Sequence, residues 1–385
     1  MERIKIAIVA GETSGDLLGS HLVAALRERF PQAQFVGIGG PKMIAAGVAS
    51  WFPMEKLSVR GYVEALKSLP AILSIRRHLK RMLRDWQPDL FIGVDAPDFN
   101  LGLERYLRRR GTATVHFASP SIWAWRGGRI HKIKRAVDHM LVLFPFEKQI
   151  YDKVGIPVSY VGHPLADTIP LETDQHAARD QLKLTQSAQI VALLPGSRQS
   201  ELTMHADLFI QTAQRLQALL PELQFLVPLA TKKTREIFEV AMYRNAASDL
   251  RLTIIFGHAQ EAMAAADCVL VASGTATLEA ALLKRPMVIT YRVPKLTALI
   301  MRAQRYLPYV GLPNILAGRF IVPELLQEQA TPDNLAHAVK HWLEDKPARE
   351  ALHEAFQSMH LSLRQNTAQR ATDAIVGLLR ASGLQ

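Results

Sequence analysis

The chain has 385 residues, more than one hydrophobic core usually organises, so two domains are expected. Apolar residues make up 49% and charged residues 21%, with a single cysteine, which excludes a disordered chain, a collagen-like chain and a disulfide scaffold. The formal net charge is +11, and residues 1–165 alone carry 24 Lys and Arg against 14 Asp and Glu, an excess that favours phospholipid, nucleic acid or a phosphorylated substrate.

The opening Arg3-Ile-Lys-Ile-Ala-Ile-Val-Ala10 reads as a buried strand, Gly11-Glu-Thr-Ser-Gly-Asp16 as a glycine-bearing loop, and 17–30 as an amphipathic helix. Further strands are predicted over 34–39, 90–94, 114–118 and 139–143, each separated by helical pattern. That alternation implies a parallel sheet covered on both faces. Turn residues at 162–170 mark a boundary, after which strands over 189–194, 223–227, 252–256, 268–272 and 287–290 restart the pattern. From Thr331 onward the pattern is helical with no further strand. The expected organisation is therefore a Rossmann-like domain over 1–165, a second over 166–345, and a helical tail over 346–385 that crosses to the first domain or to a second chain, which leaves a homodimer open. No apolar run reaches the roughly 18 residues a membrane span needs, and 6–10 is too short for a signal-peptide core, so a cytoplasmic protein is expected. Cys268, within an apolar run, reads as a buried small hydrophobe.

Four loops carry chemistry. The glycines of 11–19 are spaced four apart, which does not make a dinucleotide fingerprint; Glu12 and Ser14 are crevice-lining candidates, Thr13, Ser14 and Asp16 candidate helix caps, and a plain strand-to-helix turn is the alternative. Strand 90–94 runs into Asp95-Ala-Pro-Asp98, so a carboxylate lies at the carboxyl end of the sheet, able to take a proton from a hydroxyl nucleophile or to cap a helix near Phe99, the second being the reading for Asp95. Leu194-Pro-Gly-Ser-Arg198 resembles a phosphate cradle, with Gly196 and Ser197 turning amides inward and Arg198 forking a diphosphate. Ala272-Ser-Gly-Thr-Ala-Thr-Leu-Glu279 repeats that design with Ser273, Gly274 and Thr275, and Glu279 is placed to accept hydrogen bonds from a ribose diol. No metal site is supported, because no cysteine or histidine cluster supplements the carboxylates.

Residues 59–84 combine Val63, Leu66, Leu69, Ile72 and Leu73 with Arg76 and Arg77, which reads either as an interfacial segment on anionic lipid or as a helix pair packing on the sheet with a basic solvated face. Leu79 and Leu83 belong to the packing reading. Ser121-Ile-Trp-Ala-Trp125 beside Arg126 and Arg129 would also suit single-stranded nucleic acid, but no recognition-fold signature accompanies it, so no nucleic-acid partner is expected.

Through 9–16, 95–100, 119–126, 194–198, 272–279 and Leu312-Pro-Asn-Ile-Leu-Ala-Gly318, the chain resembles the lipid-A-disaccharide synthases, bacterial glycosyltransferases of the GT-B fold, in which two doubly wound domains face a central cleft. The resemblance implies condensation of UDP-2,3-diacylglucosamine with 2,3-diacylglucosamine 1-phosphate (lipid X), with no cofactor or metal, at the anionic cytoplasmic face of the inner membrane. It makes Asp98 the general base and places Arg198, Glu279 and Asn314 at the UDP site; Asn314 reads from its own residues only as a loop. The alternatives from the residues alone are a GT-B transferase or epimerase acting on a soluble UDP-sugar, and a non-catalytic nucleic-acid or membrane binder using the basic half.

Overall fold

The computed structural model describes residues 4–57, 62–125, 127–294, 297–299 and 306–383, with side chains in the helix Tyr62–Trp86 from Leu69 onward. The chain divides into two units, 1–167 with 363–385, and 168–362.

The first unit holds a seven-stranded parallel sheet of β1 (Lys5–Ala10), β2 (Gln34–Ile38), β3 (Ala49–Ser50), β4 (Leu90–Val94), β5 (Ala113–Phe117), β6 (His139–Val142) and β7 (Val158–Tyr160), in the order β3-β2-β1-β4-β5-β6-β7. Both β4 and β5 are buried at every residue, as continuous apolar runs must be when helices cover both faces. The strand order reverses between β1 and β4, so the loops leaving the carboxyl ends of these two strands lie at the reversal point of the sheet.

The second unit repeats the plan with β8 (Ile190–Leu194), β9 (Gln224–Leu229), β10 (Leu252–Phe256), β11 (Cys268–Ala272), β12 (Met287–Tyr291) and β13 (Glu324–Leu326), in the order β10-β9-β8-β11-β12-β13. Its reversal lies between β8 and β11. Cys268 is fully buried in β11, and burial pushes its thiol pKa up.

The predicted strands are all present, whereas β3, β7 and β13 went unpredicted, because two or three residues at a sheet edge carry no periodicity. Beyond Thr331 the described chain is helical over Pro332–Glu344, Lys346–Leu363 and Thr367–Ala381. The last helix returns to the first unit, where Ala371, Ile375 and Leu379 enter the core with Leu22 and Leu26 of the helix Thr13–Arg29. Asp167 fastens that return by accepting the amide N–H groups of Gln365, Asn366 and Thr367 at 3.0, 2.9 and 2.7 Å, which satisfies the amides that lead into the final helix. The division thus falls within the expected tail: 346–362 lie with the second unit and 363–385 with the first.

Candidate active site

In the first unit, the loops after β1 and β4 meet. A Cβ on Gly11 would stand 2.7 Å from the Ala96 Cβ, and one on Gly15 would press on Ala10 and the Val94 carbonyl at 3.3 and 3.4 Å. These glycines therefore seat the helix on the sheet; the space expected for a ligand is filled by protein. Glu12 is the N-cap of the helix Thr13–Arg29 with no side-chain hydrogen bond, and both Glu12 and Ser14 are exposed. Asp16 does not cap its own helix. Its buried carboxylate accepts the N–H groups of Gly40, Lys42 and Met43 at 2.9, 3.0 and 2.9 Å, capping the next helix, Pro41–Ala45.

Asp95 and Ala96 both adopt left-handed backbone, with φ of 51° and 45°. Each costs about 1 kcal/mol or more for a residue with a Cβ, so the turn persists only because its surroundings hold it. Asn100, fully buried, does so by donating from Nδ2 to the carbonyls of Asp95 at 2.8 Å and Val9 at 3.2 Å, tying the ends of β4 and β1 together. Asp95 is consequently not the cap: Ala96 takes that position, without a side-chain hydrogen bond, and the helix begins two residues before the predicted Phe99, as Pro97–Arg108. Asp98 falls in its first turn, with its side chain 84% exposed and Oδ1 2.5 Å from the Arg129 guanidinium. Arg76 donates to the Asp98 carbonyl at 3.4 Å. From sequence, Arg76 reads as a cation of the interfacial segment or of a solvated basic face and Arg129 as a cation beside the two indoles; nothing local shows that both reach this turn.

The loop bringing Arg129 to Asp98 is anchored from within. Glu147, almost fully buried, accepts the Trp123 indole N–H and the Phe144 amide N–H, each at 3.0 Å. Burial pushes its carboxyl up to about 7, against the pull of Phe144, Trp123 and Ser119. The Ser119 hydroxyl in turn lies 2.7 Å from the hydroxyl of the buried Tyr151. Trp123 therefore spends its polar edge on Glu147, while Trp125 is exposed and Arg126 lies outside the described residues.

The helix Tyr62–Trp86 is a single helix that runs through Pro70, not the helix pair that is one of the two sequence readings of 59–84. Ile75, Leu79 and Leu83, spaced four apart, form its buried stripe. Leu69 is 48% exposed, Arg77 is exposed, Leu73 is half-buried, and Ile72 packs partly on the core. The side chains of Val63 and Leu66 lie outside those described.

In the second unit the loops after β8 and β11 leave the sheet on either side of its reversal. Arg198 is the N-cap of the helix Gln199–Leu219, its side chain 57% exposed. Of the two amides expected to cradle phosphate, at Gly196 and Ser197, that of Ser197 is already engaged: Glu201 Oε2 accepts it at 3.0 Å, and the N–H of Arg198 at 3.2 Å. Gly196, at φ 130°, is needed because a Cβ there would meet Glu201 Cβ at 2.5 Å. Glu201 Oε1 also lies 3.5 Å from the Arg198 guanidinium, so an anion at this turn would meet the Arg198 side chain in place of the Ser197 amide. Across the reversal, Gly274 is the N-cap of the helix Thr275–Leu282, Thr275 is exposed, and Ser273 bridges from its amide to the Thr290 carbonyl at 3.1 Å. Glu279, half-buried one turn into that helix, has its carboxyl pKa raised by burial.

Asn314 is fully buried, and all its hydrogen-bonding capacity is spent inside the protein. Its Nδ2 donates to Val322 O and Glu324 Oε1 at 2.9 and 2.8 Å, and its Oδ1 accepts the N–H groups of Ile321 and Val322 at 2.8 and 3.0 Å. Glu324 accepts the amides of Val310 and Gly311, each at 2.9 Å. Asn314 thus fixes the 310–311 backbone through Glu324 and is turned inward, where direct ligand contact was expected. Among the described residues, no three His, Cys, Asp or Glu side chains converge as metal ligands.

Comparison with known proteins agrees with this geometry. A lipid-A-disaccharide synthetase family model matches residues 6–376. The lipid-A-disaccharide synthase of Dechloromonas aromatica is 58% identical over 377 residues, covering 98% of this chain and 99% of its own. Among solved structures, the kitacinnamycin glycosyltransferase aligns with a TM-score of 0.66 at 15% identity over 98% of this chain and 100% of its own. A UDP-GlcNAc 2-epimerase from Neisseria meningitidis, bound to UDP-GlcNAc, aligns at 0.60 with 12% identity over 99% and 100%. The fold, two parallel doubly wound units with a C-terminal helix, is GT-B. With nearly the whole length matched by the family model and more than half of its residues shared with a curated relative, the chain belongs to the lipid-A-disaccharide synthetase family.

Proposed function

We propose that the protein is an inverting glycosyltransferase of lipid A biosynthesis, joining UDP-2,3-diacylglucosamine to 2,3-diacylglucosamine 1-phosphate with release of UDP. The observation that carries this reading is the placing of both motif sets at the sheet reversals: Asp98 by the β1/β4 reversal, and Arg198 with Ser273, Gly274 and Thr275 by the β8/β11 reversal. The acceptor hydroxyl oxygen attacks the donor anomeric carbon from the face opposite UDP. The carbon–oxygen bond to UDP breaks as the new one forms, UDP leaves with the electron pair, and the hydroxyl proton passes to Asp98. The attack inverts the anomeric carbon. UDP is already a good leaving group, so it needs charge rather than an acid; the Arg198 side chain and the helix N-terminus at Thr275 supply that charge, which makes a metal unnecessary. Asn314 and Glu324 shape the same site by holding the backbone at 310–311.

Both substrates carry acyl chains, and the exposed Leu69 and Arg77 of one helix suit the anionic cytoplasmic surface of the inner membrane. Among the described residues no helix is long and apolar enough to cross a membrane, so the proposed attachment is peripheral. The test is UDP release from the diacylated donor in detergent and chelator, with and without lipid X. Release that requires lipid X and persists in chelator is expected. Equal release without lipid X, or from a soluble UDP-sugar, would overturn the substrate assignment, and loss in chelator would overturn the metal-free mechanism.

A further inference from the structure

His205 lies in the second turn of the helix that follows Arg198, fully buried, and both of its ring nitrogens are engaged. Nε2 is 2.9 Å from the Arg292 amide nitrogen and Nδ1 is 3.2 Å from the Pro195 carbonyl oxygen. An amide N–H only donates and a carbonyl only accepts, so the ring is neutral, with its proton on Nδ1 and its lone pair on Nε2. The two partners are the residues just beyond β8 and just beyond β12. These strands are not neighbours, because β11 lies between them, and the Ser273–Thr275 turn leaves the sheet there. The ring thus spans the carboxyl end of β11 and holds the loops on either side at a set spacing.

We infer that neutral His205 is a positioning residue for the donor diphosphate, setting where Arg198 stands relative to the β11 and β12 turns. This rests on the reading of Arg198 as a diphosphate ligand. Pro195 directly precedes the Gly196–Arg198 turn, whose Ser197 and Arg198 amides Glu201 holds, so a shift at Pro195 is passed on to the N-cap that carries the Arg198 side chain. An imidazolium would turn an N–H toward the Arg292 N–H, replacing an attraction with a repulsion. The groups facing the ring are the Pro195 carbonyl, the Arg292 amide and guanidinium, the Glu201 carboxylate, and the rings of Tyr291 at 5.1 Å and Phe209 at 6.3 Å. Burial, the largest influence, lowers the ring pKa and outweighs the opposing pulls of the Pro195 carbonyl and Glu201, so the neutral form prevails at neutral pH. No ligand contact is needed for this role.

The experiment compares UDP affinity by calorimetry, and kcat and donor KM by UDP release, across wild type, His205→Phe, His205→Gln and Arg198→Ala, each checked for folding by circular dichroism. His205→Phe keeps the ring volume and loses both bonds, so UDP affinity should fall and donor KM rise by about tenfold, the equivalent of one hydrogen bond, with kcat at saturating donor changed much less. His205→Gln, which restores an acceptor for the Arg292 amide, should recover most of that loss. Acidification should weaken UDP binding to wild type and leave binding to the Gln variant flatter. A folded His205→Phe protein with wild-type UDP affinity and donor KM, beside an Arg198→Ala protein that binds UDP poorly, would overturn the positioning role alone. If His205→Phe does not fold, a Gln variant with an unchanged acid profile would overturn it. Undiminished UDP affinity in Arg198→Ala would overturn the diphosphate reading and this inference with it.

Discussion

Replacing Glu147 with glutamine should remove a fall in the stability of the first unit that the wild-type protein shows between about pH 4.5 and about pH 7. Burial is the dominant influence on this carboxyl and raises its pKa from an ordinary 4.5 to about 7. A difference of roughly 2.5 units at 1.36 kcal/mol each makes the ionised form cost about 3 kcal/mol more in the folded protein than in the unfolded chain. Because the folded pKa is the higher, the stabilising contribution is complete below 4.5, is lost as the pH climbs to about 7, and does not return above it. Glutamine does not titrate. Its amide can accept only through one oxygen, so it forfeits one of the bonds from Trp123 and Phe144, an offset of about 1 kcal/mol at every pH. Urea unfolding followed by tryptophan emission, run on both proteins at four pH values across this range, isolates the pH-dependent part. The difference should shift by about 3 kcal/mol toward the variant on going from acid to alkaline pH. A constant difference, or one that moves toward the wild type, would refute the assignment of a costly buried charge beneath the loop that carries Arg129.

Asp98→Asn should lower kcat by about 10²- to 10⁴-fold, the usual range for a lost general base, with UDP affinity retained in calorimetry; wild-type turnover would remove Asp98 as the base. Asn314→Ala leaves the buried amides of Ile321 and Val322 without their acceptor, so about 2–5 kcal/mol of stability should be lost in denaturant titration together with UDP affinity. Loss of affinity at full stability would instead make Asn314 a ligand contact. Leu69→Glu should weaken flotation with anionic liposomes while leaving the melting temperature nearly unchanged, since the side chain is 48% exposed; undiminished flotation would dismiss this face as the membrane contact.

The architecture was legible from the chain alone because its evidence is local. Buried parallel strands are continuous apolar runs such as 90–94 and 268–272, and the helices between them announce crossovers. Where a strand ends in Asp, Gly or Ser, a loop at the carboxyl edge of the sheet follows, and Asp98, Arg198 and the 273–275 turn were found on that basis. Which atoms those loops present was decided only by tertiary contact. Asp16 resembles a cap for its own helix but reaches the amides of Gly40, Lys42 and Met43, more than twenty residues on. The Gly196–Ser197 turn resembles a phosphate cradle until Glu201 occupies the Ser197 amide, and Asn314 resembles a loop residue until its four bonds turn it inward. His205, Arg129 and Glu147 carry no sequence signal, since each acts on a partner brought near by the fold. Hydrophobic periodicity is written along the chain, whereas a polar side chain satisfies itself with whichever donor or acceptor folding places within about 3 Å, and that choice exists only in three dimensions.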